Sequence, residues 1–112
     1  MCLFCKIAAK QIPAKVLFED DELVAFHDIN PGAPTHVLVI PKEHIVSLSD
    51  GKAEHTALLG KLLLATARVA EETGIAQSGY RVVTNTGPNA GQSVFHLHLH
   101  VLGGRALAWP PG

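Results

Sequence analysis

The chain has 112 residues, a net charge of -1 with histidine neutral, and two cysteines. This length suits one domain with a single core, and the nearly balanced charge argues against nucleic acid as a bulk partner. No apolar run approaches the length that spans a membrane, and the first ten residues lack the pattern of a secretory signal. We therefore predict a single domain over residues 1–112, located in the cytoplasm.

The first predicted elements are two strands around an acidic turn. Residues 14–29 carry apolar stretches on both sides of the turn EDDE, which is typical of a strand pair. The segment INPGAP, residues 29–34, then breaks the chain because proline and glycine suit a loop better than a ladder. Residues 35–41, THVLVIP, are β-branched and apolar at nearly every position. This run predicts a strand that is covered on both faces.

A long helix follows over residues 53–73. Its apolar side chains recur at helical spacing, and we assign to the stripe Leu58, Leu59, Leu62, Leu63, Ala65, Val69 and Ala70. Asp50 is the expected N-cap and Gly74 the expected stop.

Two more strands are predicted after the helix. They are YRVVTN, residues 80–85, and SVFHLHLHVL, residues 93–102, joined by the glycine-rich turn TGPNAGQ. The pattern as a whole predicts an α+β fold with about five mostly antiparallel strands and one main helix packed on a face.

The last predicted strand places His96, His98 and His100 at alternate positions. A strand rises ~3.3 Å per residue and alternates faces, so the imidazoles would line one face about 6.6 Å apart. The two ends of the row are then too far apart for all three to bind one zinc ion, although two neighbours could. A solvated strand face is the plainer alternative. The pattern favours a polar site, in which neutral imidazole serves as nucleophile, acid or base near pH 7.

The turn before the row offers groups for an anion. Asn85, Gly87, Gly91, Gln92 and Ser93 lie within it. Glycine lets backbone amides approach an anion closely, and Ser93 and Asn85 add side-chain donors. Taken alone, such a stretch is more typical of a simple hairpin turn, and only the neighbouring histidines favour a phosphate cradle.

HLHLHVL fits the signature of the histidine triad (HIT) superfamily, in which three histidines alternate with apolar residues. The segments FHDINPGAPTHVLVIPKEHI and GYRVVTNTGPNAGQSVFHLHLHVLGGR and the ending WPPG resemble the Hint branch, the purine nucleoside phosphoramidases. Galactose-1-phosphate uridylyltransferases carry glutamine where this chain has His100. Fhit-like hydrolases typically have glutamine where Ser93 stands and lack the WPPG ending.

The resemblance implies a mechanism. His98 would attack the α-phosphorus of a nucleoside 5′-phosphoramidate, with its other N–H held by a backbone carbonyl two residues back. A covalent nucleotidyl-histidine would form and water would then release the nucleoside monophosphate, AMP for an adenosine substrate. His100 and Ser93 would stabilise the phosphate or protonate the leaving amine, and His96 and His36 would support the row. No metal is implied for the chemistry.

The resemblance also implies a nucleoside pocket. Asp28 matches the carboxylate that accepts the ribose hydroxyls. The positions that match the walls around the base are Leu3, Phe4, Ile7, Phe26 and Ile29, and those that match the phosphate side are Asn85, Gly91, Gln92 and Ser93, with His98 and His100. Without the resemblance, the five apolar residues would be assigned to an ordinary core.

The spacing of Cys2 and Cys5 is typical of one half of a zinc site or of a redox pair in a reducing compartment. The resemblance implies that His44 and His96 supply the other half, as a structural Zn²⁺ site that anchors the N-terminal segment. Two reduced thiols in a mobile N-terminus are the alternative.

The resemblance further implies a homodimer in which two five-stranded sheets join into ten strands, with Trp109 reaching toward the partner's site. Two other functions remain open at this point. One is a non-catalytic nucleotide-binding regulator, and the other is a metalloprotein whose chemistry runs through zinc.

Overall fold

The structure, a computed structural model, describes residues 2–112 and contains one antiparallel sheet with the strand order β1-β2-β3-β5-β4. The strands are β1 (Val16–Glu19), β2 (Leu23–His27), β3 (Thr35–Pro41), β4 (Tyr80–Val83) and β5 (Leu99–Gly103), and the helices are α1 (Leu3–Ala8) and α2 (Thr56–Thr73). Short 3-10 turns occur at Leu48–Asp50, Ala53–His55 and Pro88–Ala90. The predicted α+β fold is confirmed. No helix within residues 2–112 combines the length and the apolar character needed to cross a bilayer.

The central strand β3 is covered on both faces, as its sequence predicts. Val37 and Val39 belong to a buried cluster shared with α2, whereas Leu38 and Ile40 belong to a second cluster on the other face. That second cluster includes Phe4 of α1. Each face of the sheet therefore has its own apolar layer, and the smaller layer lies on the face opposite α2.

The alternation of β5 directs its histidine toward the smaller layer. Leu99 and Val101 are buried in the cluster shared with α2, together with Leu97 just before the strand. His100 pairs with Leu38 across the ladder, so its side chain lies on the face of Leu38 and Phe4. The apolar residues between the histidines thus hold this segment under α2, while the imidazoles lie on the opposite face.

The last strand is shorter than predicted. Only Leu99–Gly103 joins the ladder, whereas residues 93–98 are irregular. His96 and His98 consequently precede the strand instead of lying within it. The prediction that three imidazoles are evenly spaced along one regular strand is therefore wrong. Each histidine has its own set of partners.

The long helix differs from its prediction at its start and along its stripe. A 3-10 turn at Ala53–His55 precedes the α-helical residues, and Asp50 is not the N-cap because its carboxylate instead accepts a bond from the Ser47 hydroxyl. Leu63 is exposed, whereas Thr66 is buried and donates its hydroxyl to a backbone carbonyl within the helix. The predicted stop at Gly74 is confirmed, with a left-handed φ of 78°.

Candidate active site and metal centre

His98 is held in one tautomer by a fixed acceptor. Its Nδ1 lies 2.7 Å from the carbonyl oxygen of His96, two residues back, as the resemblance implies. A carbonyl can only accept, so neutral His98 carries its proton on Nδ1 and has a lone pair on Nε2. Thr84 donates its hydroxyl to the carbonyl of His98 at 2.9 Å, and Phe4 packs edge-on against the ring at 5.1 Å. The geometry therefore presents one unprotonated, oriented imidazole nitrogen.

His36 and His100 form a second oriented pair. The N–H of Gly32 donates to Nδ1 of His36 at 2.9 Å, so neutral His36 carries its proton on Nε2. That Nε2 lies 2.8 Å from Nδ1 of His100 and donates to it. His100 must then carry its own proton on Nε2. The ring centroids of His98 and His100 are 5.0 Å apart, so the ring with the lone pair on Nε2 lies next to a ring with an N–H on Nε2.

Asp28 lies next to this pair of histidines, and the three residues together could form a second metal site. Their ligand atoms are close enough to hold an ion, and Asp28 Oδ2 lies 3.5 Å from Nε2 of His36. However, a metal on that Nε2 would move the proton of His36 to Nδ1, which faces the N–H of Gly32. Two donors would then oppose each other. The arrangement therefore favours a hydrogen-bonded chain over a metal site.

Burial keeps His100 neutral. Desolvation, with smaller contributions from His98 and His36, lowers the pKa of His100 from 6.5 to about 4, although the charge of Asp28 opposes the shift. Burial likewise lowers the pKa of His36, again against Asp28. Both rings are therefore uncharged at neutral pH, as the chain of single N–H donors requires.

We expect His100 to make the folded protein less stable in mild acid. Between pH 6.5 and pH 4 the unfolded chain binds a proton at His100 that the folded chain does not, so stability falls as the pH falls through this window. For one proton the free energy of unfolding changes by at most about 1.4 kcal/mol per pH unit in this window, and solvent access to the ring narrows the window. Urea unfolding at several pH values should give a shallower slope for His100→Gln. An unchanged slope would contradict this account.

A separate cluster joins α1 to the loop after β3 and to His96. Nδ1 of His44 lies 3.6 Å from Sγ of Cys2 and 3.2 Å from Sγ of Cys5. Nδ1 of His96 lies 3.3 and 3.5 Å from the same two sulfurs, and the two Nδ1 atoms are 3.1 Å apart. The four residues named from the sequence as metal ligands are therefore together.

The cluster fits tetrahedral zinc. Bonds of ~2.0–2.3 Å to nitrogen and sulfur place tetrahedral ligands about 3.3–3.6 Å apart for N–N and N–S pairs, close to the distances here. Nε2 of His96 lies 2.8 Å from the Pro41 carbonyl, so the proton of neutral His96 is on Nε2 and its lone pair faces the cluster. Burial lowers the pKa of His96 and raises that of Cys5. Four soft or borderline donors around one point are the ligands that zinc prefers.

The residues expected around a base do not form one uniform wall. Phe4 and Phe26 are buried and pack edge-on with ring centroids 5.5 Å apart, and Ile7 packs against the same cluster. Leu3 is half exposed, and Ile29 is 92% exposed. Phe4 packs against both Phe26 and His98 and so joins an apolar floor to this histidine, whereas Leu3 and Ile29 have apolar surface free for contact with a ligand.

The loop before the triad is organised by Gln92. Its side-chain oxygen accepts from the N–H of Gly87, and its amide nitrogen donates to the carbonyls of Val46 and Val94. Its own N–H donates to Gly87, and the N–H of Gly91 donates to Pro88. The donors of Gly91 and Gln92 are therefore bound within the chain, and the place of these two residues on the phosphate side stays a prediction.

Ser93 and Asn85, in the same segment before the triad, can still offer side-chain donors to a phosphate. Ser93 is exposed and Asn85 is half-buried. Three groups that hold the histidines in place were not predicted from the sequence, namely the N–H of Gly32, the carbonyl of Pro41 and the hydroxyl of Thr84. The first two are backbone groups, which leave no signal in residue identity.

Comparisons with known proteins find relatives of this chain in sequence and in fold. A family model described as HIT domain matches residues 9–107. An uncharacterised HIT-like protein of Synechococcus elongatus is 54% identical over 110 residues, covering 98% of this chain and 96% of the relative. A 14 kDa zinc-binding protein of Zea mays is 48% identical over 98% of this chain and 87% of its own length. The crystal structure of a HIT family hydrolase from Legionella pneumophila has a TM-score of 0.98 at 49% identity, with both chains fully covered.

Proposed function

The chain belongs to the HIT family, and from this premise we propose that it is a hydrolase that cleaves the P–N bond of purine nucleoside 5′-phosphoramidates. One observation carries the proposal. The bond from Nδ1 of His98 to the His96 carbonyl leaves Nε2 of His98 unprotonated, as a nucleophile requires. The similarity to a solved HIT family hydrolase supports a hydrolytic reaction.

The reaction has two displacements at phosphorus. The lone pair on Nε2 of His98 forms a bond to the α-phosphorus, and the bond to the amine breaks with its electron pair leaving on nitrogen, which takes up a proton. Water then attacks the phosphorus of the nucleotidyl-histidine and loses a proton to solvent. The N–P bond breaks, its electron pair returns to Nε2, and the nucleoside monophosphate leaves. For an adenosine substrate the product is AMP.

His100 and Ser93 are proposed to act on the phosphate. The geometry leaves Nε2–H of His100 as a donor next to His98, and this fixed donor can stabilise charge that develops on the phosphate oxygens. Ser93 is exposed close by in sequence and can bind an oxygen or pass a proton to the leaving amine. His36 holds His100, and His96 holds His98 through its carbonyl.

The nucleoside is proposed to lie beside Asp28. Oδ1 of Asp28 accepts a hydrogen bond from the N–H of Asn30. Oδ2 lies 3.5 Å from Nε2 of His36 and can still accept hydrogen bonds from ribose hydroxyls. The apolar floor of Phe4 and Phe26, with the exposed Leu3 and Ile29, would contact the base.

We propose a structural role for zinc at Cys2, Cys5, His44 and His96. Four protein ligands would close the coordination sphere and leave no position for a reacting water, so the metal ties α1 to the sheet without entering the chemistry. The zinc-binding relative from maize supports this assignment. Within residues 2–112 the phosphate-side histidines, His98 and His100, are not among these four ligands.

We propose that the protein is a single cytoplasmic domain and that two copies form a homodimer with a ten-stranded sheet. The strand β4 lies at the edge of the sheet and can pair with a second copy. A nucleotide sensor without turnover would use the same pocket. The oriented lone pair on His98 favours the enzyme, because binding alone does not require it.

A panel of nucleoside 5′-phosphoramidates tests the function. We expect release of the free amine and of AMP or GMP in equal amounts, without added metal. Tight binding of AMP with no turnover of any phosphoramidate would instead support the sensor.

Asp28→Asn should weaken selection for ribonucleotides over 2′-deoxyribonucleotides. The charged acceptor for the hydroxyls is then lost, and hydrogen bonds to charged groups contribute ~1.5–3 kcal/mol, so the ratio of kcat/KM should fall roughly tenfold or more. The two substrates are compared in the same assay for both proteins. If the ratio is the same in wild type and variant, the ribose role is wrong.

A further inference from the structure

Asp28 faces both the surface and the row of histidines. Its side chain is 19% exposed and that of His36 is 10% exposed, with Oδ2 of Asp28 at 3.5 Å from Nε2 of His36. The Asp28 carboxylate, which is proposed to bind ribose, is therefore also close to His36, and His36 in turn contacts His100.

A single proton lies between Asp28 and His100. Because Gly32 donates to Nδ1 of His36, this ring has one N–H, on Nε2. The N–H donates to Nδ1 of His100 at 2.8 Å, while the charge on Oδ2 of Asp28, 3.5 Å from the same nitrogen, also attracts the proton. A group that occupies the carboxylate from the solvent side changes this competition.

We propose that His36 is a positioning residue that couples the ribose site to the phosphate site, so that ribose hydroxyls on Asp28 strengthen the hydrogen bond that His100 donates. This inference rests on the proposed function. Hydroxyls that donate to Asp28 weaken its attraction for the proton of His36, and that proton is then held more fully by Nδ1 of His100. His100 becomes more polarised and donates more strongly through Nε2, as successive bonds in a chain do.

The coupling predicts a contribution of the ribose to kcat in addition to KM. Adenosine 5′-phosphoramidate and its 2′,3′-dideoxy analogue are compared in wild type, His36→Met and His36→Gln. In wild type we expect the hydroxyls to raise kcat about two- to fivefold. His36→Met should remove this kcat difference and keep the KM difference, because Asp28 remains. His36→Gln, whose amide can donate from the same position, should restore part of it.

Ser93→Ala is the matched control, since it should lower kcat for both substrates and keep their ratio. An equal kcat ratio in wild type and His36→Met would overturn the coupling. Equal kcat for the two substrates in wild type would overturn it too. In that case the cleavage of both phosphoramidates would still support the proposed function.

A second measurement needs no turnover and no variant. In protein with ¹⁵N-labelled histidine, AMP and 2′,3′-dideoxy-AMP should give different ring-nitrogen shifts for His100. Identical shifts overturn the coupling even if His36→Met does not fold. Different shifts with no cleavage of any phosphoramidate would reject the proposed function and support the coupling, whereas absence of nucleotide binding would reject both.

Discussion

His98→Ala should abolish phosphoramidase turnover, with kcat falling by at least about 10⁴-fold, because the attacking nitrogen is removed. AMP should still bind within about tenfold of wild type, since the groups proposed to hold ribose and base are unchanged. Release of amine measures the first quantity and isothermal titration with AMP the second. A variant that keeps more than a few per cent of the wild-type rate would show that His98 is not the nucleophile.

His55→Gln is the matched histidine control. His55 is buried at the start of α2 and pairs with Glu43, outside the row of imidazoles. Its replacement should leave kcat for the phosphoramidate close to the wild-type value. An equal loss in both variants would indicate a general effect of losing a buried histidine, and the assignment of His98 would then be wrong.

Purified protein should contain one zinc per chain, and Cys2→Ser with Cys5→Ser should lose it and melt roughly 5 °C or more below wild type. The loss should stop short of unfolding, because Phe4 also holds α1 through its buried contacts with Phe26 and His98. KM should rise modestly while kcat is largely kept. Elemental analysis and thermal unfolding measure the two main effects.

A chelator separates a structural metal from a catalytic one. It should lower the Tm of wild type without changing that of the double cysteine variant, and phosphoramidase activity should remain nearly intact. Well under half an equivalent of zinc in reduced, chelator-free protein would refute the site. Loss of activity that zinc restores, in protein that stays folded, would assign the chemistry to the metal.

The main architecture was predictable because its signals are periodic. The apolar run of β3 indicated burial on both faces, and both faces are covered. Gly74 indicated the end of α2 because a left-handed residue there favours glycine. The alternation of leucine and histidine correctly separated the side under α2 from the polar side.

The errors arose where contacts distant in sequence decide the structure. His96 lies outside the ladder, where its two ring nitrogens contact Pro41 and the cysteine cluster. Helix α1 was not predicted, since its six residues are too few to show a repeated apolar pattern, and its N-cap is Cys2, whose sulfur accepts from the N–H of Cys5. The side-chain amide of Gln92 bonds backbone groups of Gly87, Val46 and Val94, and the sequence did not predict these partners.

The candidate site was predictable as a set of residues, and the resemblance implied the tautomer of His98, whereas the tautomers of His36 and His96 were not predicted. The triad and the cysteine pair are visible in the sequence, whereas the tautomers of His36, His96 and His98 follow from one N–H and two carbonyls of the backbone. Those three bonds decide which nitrogen can attack, which can donate and which can face a metal.

Trapping the covalent intermediate tests the proposed mechanism most directly. Enzyme in excess is mixed with adenosine 5′-phosphoramidate, quenched within a single turnover and digested under conditions that preserve a phosphorus–nitrogen bond, and its peptides are analysed by mass spectrometry. We predict an added AMP moiety on His98, formed and lost at rates compatible with kcat. An adduct on another residue, or formation of AMP without any adduct on the protein, would contradict the mechanism.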